Sequence, residues 1–145
     1  MKFINYLYTL DNGNICLYPN YDQKLVGKRE VIINCILGEL QNFLEMYGKT
    51  NKFVILLDLT KVNVVENHDF ILYRRLKVAV ETNYPDKLDR VIIYEYSKKS
   101  YCLLNIIRAV LDKEVQKKIV IDKGYKQFID SFLGTTTVNN NVSHC

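Results

Sequence analysis

Phe53-Val54-Ile55-Leu56-Leu57-Asp58 is an unbroken apolar run stopped by a carboxylate. A strand with one wet face alternates apolar and polar residues, whereas a continuous run of Val, Ile and Leu marks a strand covered on both faces, as in parallel sheets. Downstream, a loop passes Asn67, a candidate N-cap, and His68 to Asn83 carries Leu72, Leu76, Ala79 and Val80 at helical spacing, with Arg74, Arg75, Lys77 and Glu81 largely outward. Pro85 closes that helix because the residue before a proline is pushed out of helical geometry. Arg90 to Tyr94 reads as a second buried strand, Tyr101 to Leu111 as a strongly apolar helix, Ile119 to Ile121 as a short strand and Tyr125 to Leu133 as a last helix.

Upstream, Ile32, Ile36, Leu40, Phe43, Leu44 and Tyr47 recur at steps of three and four, one face of a helix that Gly48 ends. Before it, Phe3 to Leu10 and Asn14 to Tyr18 flank Asp11-Asn12-Gly13, a hairpin signature. Buried strands alternating with helices predict an α/β fold: a mainly parallel five-stranded sheet flanked by helices, with an N-terminal β-hairpin. Residues 1–133 form a single domain in this reading. The Thr- and Asn-rich residues 134–145 have too little apolar surface to pack and are expected to be a flexible tail.

The bulk properties agree with one globular domain: 145 residues, 48% hydrophobic, 25% charged and a formal charge of +4. That excess is too mild for a polybasic nucleic-acid binder, so no nucleic-acid partner is expected. The four cysteines, Cys16, Cys35, Cys102 and Cys145, form no CxxC pair, and with only two histidines no cluster has zinc-ligand spacing. With no apolar signal segment at the amino terminus, the expectation is a cytoplasmic protein with free thiols. No apolar run approaches the roughly 20 residues of a membrane span, so any membrane contact is expected to be peripheral.

Catalytic motifs are missing. The chain has no GxGxxG, GxxxxGK, GxSxG or HExxH, and no cofactor is expected. Asp58, at the carboxyl end of a buried strand, could serve as an acid, a base or a metal ligand; capping the turn after the strand is the reading favoured. His68 and Asp69 are sequence neighbours and do not face each other on a helix. Cys102 has no visible activating base and reads as an inert thiol on an apolar helix.

The charge is uneven. Ten of the twenty basic residues fall between Lys87 and Lys126, against five acids in the same window. The apolar helix with Tyr101, Leu103, Leu104, Ile107 and Val110 sits among them, a combination suited to a lipid interface, where cations attract headgroups and the apolar face meets acyl chains.

The order of elements from Tyr84 carries a resemblance. Tyr84-Pro85-Asp86-Lys87-Leu88, a buried strand, a helix reaching Leu111-Asp112, and Val115-Gln116-Lys117-Lys118-Ile119-Val120 resemble the YPER-like, PFLD-like and KKI-strand elements of the CRAL-TRIO lipid-binding domain family. That family includes phosphatidylinositol-transfer and tocopherol-transfer proteins. The likeness is to a minimal version without the preceding helical bundle, since the first strand begins near Phe3. Glu95-Tyr96-Ser97 stands where the family has Asn-x-Pro, Lys61 where it has glycine, and Ala109 where it has proline.

The resemblance implies a CRAL-TRIO-like twisted sheet flooring an apolar cavity. It implies a gate helix from about Ser100 to Val110, contacting lipid through Tyr101, Leu103, Leu104, Ile107 and Val110. Headgroup contacts carry over to Asp86, where the family has Glu, and to Lys87 and Lys118; Arg90 is the next cation on the same stretch. Lysine ammoniums donate to a phosphate and a carboxylate accepts from inositol hydroxyls, although a plain surface pair of Asp86 with a lysine is the competing reading. Two functions stay open: a non-enzymatic module for a phosphoinositide or other anionic lipid at a peripheral membrane surface, involved in lipid transfer; or a protein-interaction scaffold, binding for example small GTPases, with a closed pocket. An enzyme built on Asp58 is the weakest reading, because no partner residue can be named for it.

Thiol titration of the protein unfolded without reductant should find all four cysteines reactive, and metal analysis should find no stoichiometric zinc.

Overall fold

A hairpin starts the chain: β1 (Ile4–Thr9) and β2 (Ile15–Pro19) run antiparallel around a turn in which Leu10 N–H donates to Asn14 O at 2.9 Å. The computed structural model describes residues 1–61, 69–95, 104–105, 108–109, 112–122, 124–125, 127–129 and 131. After β2 come α1 (Arg29–Tyr47), β3 (Phe53–Asp58), a single 3-10 turn (Leu59–Lys61), α2 (Phe70–Asn83), β4 (Leu88–Glu95), a short α3 (Lys113–Gln116) and β5 (Ile119–Ile121). The strands lie in chain order, β1-β2-β3-β4-β5, and β2 to β5 are parallel. The five-stranded, mostly parallel sheet with its N-terminal hairpin is thus the fold expected from the sequence.

Chain-order neighbours have a consequence for layering. Right-handed crossovers between them all land on the same side of the sheet. The contacts agree: α1 buries Ile32, Ile36, Leu40 and Leu44 against Ile15, Leu17 and Phe53, joined by Leu72 of α2. Leu104, between β4 and β5, packs with Leu59 and Ile93 on that same side, since Ile93 pairs with Leu57, two positions beyond Ile55 on β3. Each such side chain, fully buried, contributes roughly 1.5–3 kcal/mol.

The opposite face presents Leu7, Cys16, Val54, Leu56, Ile92 and Tyr94. Among the described residues it is covered from the chain that follows β5, where residues 124–125, 127–129 and 131 are helical and Ile129 is seated on the sheet, 1% exposed. This is why Phe53 to Leu57 lacks alternation: the helical layer covers one face and the segment after β5 the other.

Local chemistry sets the boundaries. Gly48 follows α1 at φ +142°, where a Cβ would come within 2.2 Å of the Asn51 side chain, so the helix ends on the one residue that fits. The start of α2 differs from expectation. Asp69, not Asn67, is the N-cap: its carboxylate accepts from Leu72 N–H at 3.0 Å and from Arg29 Nε at 2.9 Å. The Arg29 guanidinium, with the Leu72 amide, holds that carboxyl below the usual carboxylate range. A capping aspartate fixed by a cation on α1 outcompetes an asparagine two residues earlier. Strand β4 extends two residues before Arg90, and α3, capped by Asp112, was not anticipated. Residues 134–145 lie outside the described residues.

The start of β1 is held by a side chain. Glu39 Oε1 on α1 accepts from Phe3 N–H at 2.8 Å and from Ile4 N–H at 3.3 Å, while Glu39 Oε2 is buried with no hydrogen-bond partner. Tyr6 then stacks on Tyr47, ring centroids 3.8 Å apart, sealing the same seam. Glu39→Ala should lower the unfolding free energy by about 1–3 kcal/mol, since both amides lose their acceptor. Glu39→Gln should retain most of the stability because its amide oxygen still accepts; urea titrations of both variants check this.

Candidate functional site

The residues expected to meet a headgroup gather at one edge of the sheet. Lys87 immediately precedes β4 and Lys118 immediately precedes β5, so parallel pairing brings both to adjacent strand beginnings. Lys118 is tied there twice: its carbonyl accepts from Val91 N–H at 2.9 Å, and its Nζ donates to Leu88 O at 2.9 Å. Lys87 Nζ instead donates to Lys49 O at 2.7 Å, across the start of β3. The two ammoniums therefore rest on different backbone oxygens. Each keeps further N–H donors, since an ammonium has three.

Asp86 is exposed and turns the chain at φ +59°. No ion pair joins it to a lysine among the described residues; the neighbouring acid, Asp89, is the one that pairs, with Arg90 Nε at 3.3 Å. Arg90 alternates with Ile92 and Tyr94 along β4 and so points toward the face opposite the helices.

On that face lies a cluster the sequence reading did not single out. Tyr8 and Tyr125 are joined hydroxyl to hydroxyl, and both reach the fully buried Cys16. Burial pushes the Cys16 thiol up, against the pull of the two tyrosine hydroxyls and the Arg90 charge. Burial, reinforced by the bond to Tyr125, also pushes the Tyr8 hydroxyl up, and burial raises Tyr125. All three groups are thus neutral at physiological pH, and Cys16 is no nucleophile. Tyr8 reaches this face because the β1–β2 register shifts between Tyr6 and Tyr8: Tyr6 stacks with α1, while Leu7 and Tyr8 both turn to the other side.

Beside the cluster, Tyr8, Thr9, Leu10, Asp11, Asp122, Gly124, Tyr125 and Phe128 line an open groove of about 700 Å³. Phe128 meets both tyrosine rings at 5.6 Å. Nothing in the order of residues ties Tyr8 to Tyr125, 117 positions away; the hint was only that a tyrosine-rich strand and an aromatic final helix both needed partners.

Two further residues singled out in the sequence have defined places in the fold. Leu104, assigned by resemblance to the gate, is 1% exposed in the core of the helical layer, because a β4-to-β5 crossover must cover the side already taken by α1 and α2. Tyr101, Leu103, Ile107 and Val110 lie outside the described residues. Asp58 closes an Asx turn: its carboxylate accepts from Thr60 N–H at 3.0 Å and from the Thr60 hydroxyl. Its amide donates to Tyr21 Oη at 2.8 Å, and burial pushes that phenol up to about 12. Both Thr60 bonds fall on Asp58 Oδ1, so Asp58 caps the turn after β3, the role favoured from the sequence.

Among the described residues, no group of three or more His, Cys, Asp or Glu could hold a metal, and no helix is long and apolar enough to cross a membrane.

The comparisons with known proteins bear on the same fold. No curated protein matches the sequence. The CRAL/TRIO domain model matches residues 4–133, from the first strand to beyond the segment that covers the open face. The α/β sheet and this match over nearly the whole chain agree: the chain belongs to the CRAL/TRIO domain family of lipid-binding and lipid-transfer modules.

Proposed function

We propose that this chain is a non-enzymatic module that binds one anionic lipid, of the phosphoinositide class, on the face of the sheet opposite the helices. The observation that carries the proposal is the pairing of an apolar sheet face, Leu7, Val54, Leu56 and Ile92, with cations at the strand beginnings beside it. Acyl chains would lie along the strands where Ile129 now sits. The headgroup would meet Arg90, Lys118 and Lys87, with Asp86 accepting from inositol hydroxyls.

In this reading the gate is the segment after β5, not the crossover helix before it. Phe128 is an exposed aromatic of that segment and borders the open groove. Swinging the segment away exposes the apolar face and breaks the Tyr8 to Tyr125 hydrogen bond. A bound lipid tail replaces the apolar contacts of Ile129 at little net cost. The seated Ile129 also fits the second reading, a protein-interaction scaffold whose sheet face stays closed.

The double change Lys87→Ala with Lys118→Ala should weaken binding to phosphoinositide vesicles by about 2 kcal/mol, near thirtyfold, with unchanged far-UV circular dichroism. Wild-type binding should itself weaken with added salt, because exposed charges are screened over about 8 Å at physiological ionic strength. Unaltered binding by the double variant would move the headgroup elsewhere. Native mass spectrometry after incubation with vesicles separates the two readings: a one-to-one lipid adduct supports the module, and a folded protein that never acquires one favours the scaffold.

A further inference from the structure

The opposite edge of the sheet, where the parallel strands end, carries a surface that the headgroup site does not use. Between β2 and α1 the chain forms a loop with a fixed base and a bare tip. At its base Asp22 N–H donates to Asn20 Oδ1 at 3.2 Å, and Tyr21 is locked to the Asp58 amide with Lys61 Nζ 5.9 Å over its ring. At its far end Arg29 is paired to Asp69. Between these anchors, Leu25 is 44% and Val26 68% exposed. Gly27, at φ +109°, makes the turn behind them, and a Cβ there would meet no atom within 4 Å.

Two more exposed aliphatics stand near the loop. Val31, 47% exposed, is on the first turn of α1, and Ile71, 50% exposed, is on the first turn of α2. The Arg29–Asp69 and Arg75–Glu30 pairs at 2.9 and 3.7 Å hold these two helix starts together. The surrounding charge is positive. Over residues 20–31 and 69–78 there are six basic and three acidic side chains. The acids Glu30 and Asp69 are paired, and Lys24, Lys28 and Arg74 make no ion pair among the described residues. The partial positive charge at the N-termini of α1 and α2 has the same sign.

An aliphatic tip flanked by Lys24 and Lys28 on an anchored base suits a surface that is apolar within and anionic at its border. We infer that the Lys24–Lys28 loop, with Val31 and Ile71, docks this protein on an anionic lipid bilayer, Leu25 and Val26 entering below the headgroups. This rests on the lipid-binding reading and extends it. A bilayer at the strand-end edge lies across the length of α1, about 28 Å at 1.5 Å per residue, from the cations of the strand-beginning edge. A lipid would enter head first, its acyl chains trailing along the strands toward the membrane.

The chain has no tryptophan, so a single introduced one reports depth without background. The test places Val26→Trp at the tip and, separately, Met46→Trp at the other end of α1, where the native side chain is 70% exposed. Each is titrated with vesicles of phosphatidylcholine containing phosphatidylserine, and with phosphatidylcholine alone. Val26→Trp emission should shift to the blue on the anionic vesicles and be quenched by acyl-brominated lipid, and Met46→Trp should do neither. Adding Lys24→Gln and Lys28→Gln should raise the lipid needed for half-maximal shift roughly thirtyfold.

A Val26→Trp signal indifferent to vesicles that sediment the protein overturns the inference, and a shift of Met46→Trp in its place puts the bilayer at the headgroup edge. Absence of sedimentation with either vesicle also overturns it and leaves the patch to an acidic protein face. Binding of a water-soluble short-chain phosphoinositide separates this from the headgroup site: the loop variants should bind it as the wild type does. Vesicle docking through Val26 with no short-chain binding would retain the docking surface and remove the headgroup assignment.

Discussion

A helix that joins two parallel neighbours must cross the sheet with a right-handed turn, and when the strands also lie in chain order every crossover arrives on the same side. That constraint organises this molecule. It sends α1, α2 and the helical residues around Leu104 to one layer, built on Ile32, Ile36, Leu40 and Leu44. Among the described residues no crossover covers the other face, from Leu7 to Tyr94. An apolar sheet face left in water would be costly, so something outside the crossovers must cover it. In this structure it is the chain after β5, through Ile129 and Tyr125. That cover belongs to no βαβ unit, so its seat on the sheet is independent of the crossovers.

The thiol and two phenols clustered on the covered face are all neutral. Cys16, Tyr8 and Tyr125 share hydrogen bonds, and burial raises all three, so the cluster presents neutral donors and acceptors inside an apolar surface. Polar groups satisfied by one another are cheaper to bury than isolated ones. Their pairing depends on the irregularity in β1: without the register shift after Tyr6, strict alternation would return Tyr8 to the helical side beside Tyr47. A one-residue irregularity in an edge strand thus decides which aromatic the covering segment meets.

The two edges of the sheet differ in charge and in the shape of their exposed chain. At the strand beginnings, Lys87 and Lys118 lie close to the backbone, each donating to a carbonyl. At the strand ends, Lys24 and Lys28 flank a protruding aliphatic tip. The first arrangement suits a single headgroup held by directed hydrogen bonds, the second a diffuse anionic surface. The mild net charge of +4 conceals this division, because a sum over the chain carries no information about position.

By itself the sequence determined the elements and the mainly parallel sheet they build. The unalternating run Phe53 to Leu57, the stripe from Ile32 to Leu44 and the stop at Pro85 each follow from periodicity and backbone sterics, which act over a few residues. The elements from Tyr84 to Val120 were distinctive enough to name a family before any coordinates. Lys87 and Lys118 could be picked out because they stand in the YPER-like and KKI elements that carry the family resemblance. The tertiary structure alone decided what meets across long separations: Asp69 capping α2 under the hold of Arg29, and Tyr8 on Tyr125. It also decided which segment covers which face, placing Leu104 in the core and the chain after β5 over the open side. Apolar periodicity tells a helix to bury one stripe without saying against what. The handedness of the crossovers supplies that answer, and it acts on the sheet as a whole rather than on any stretch of residues.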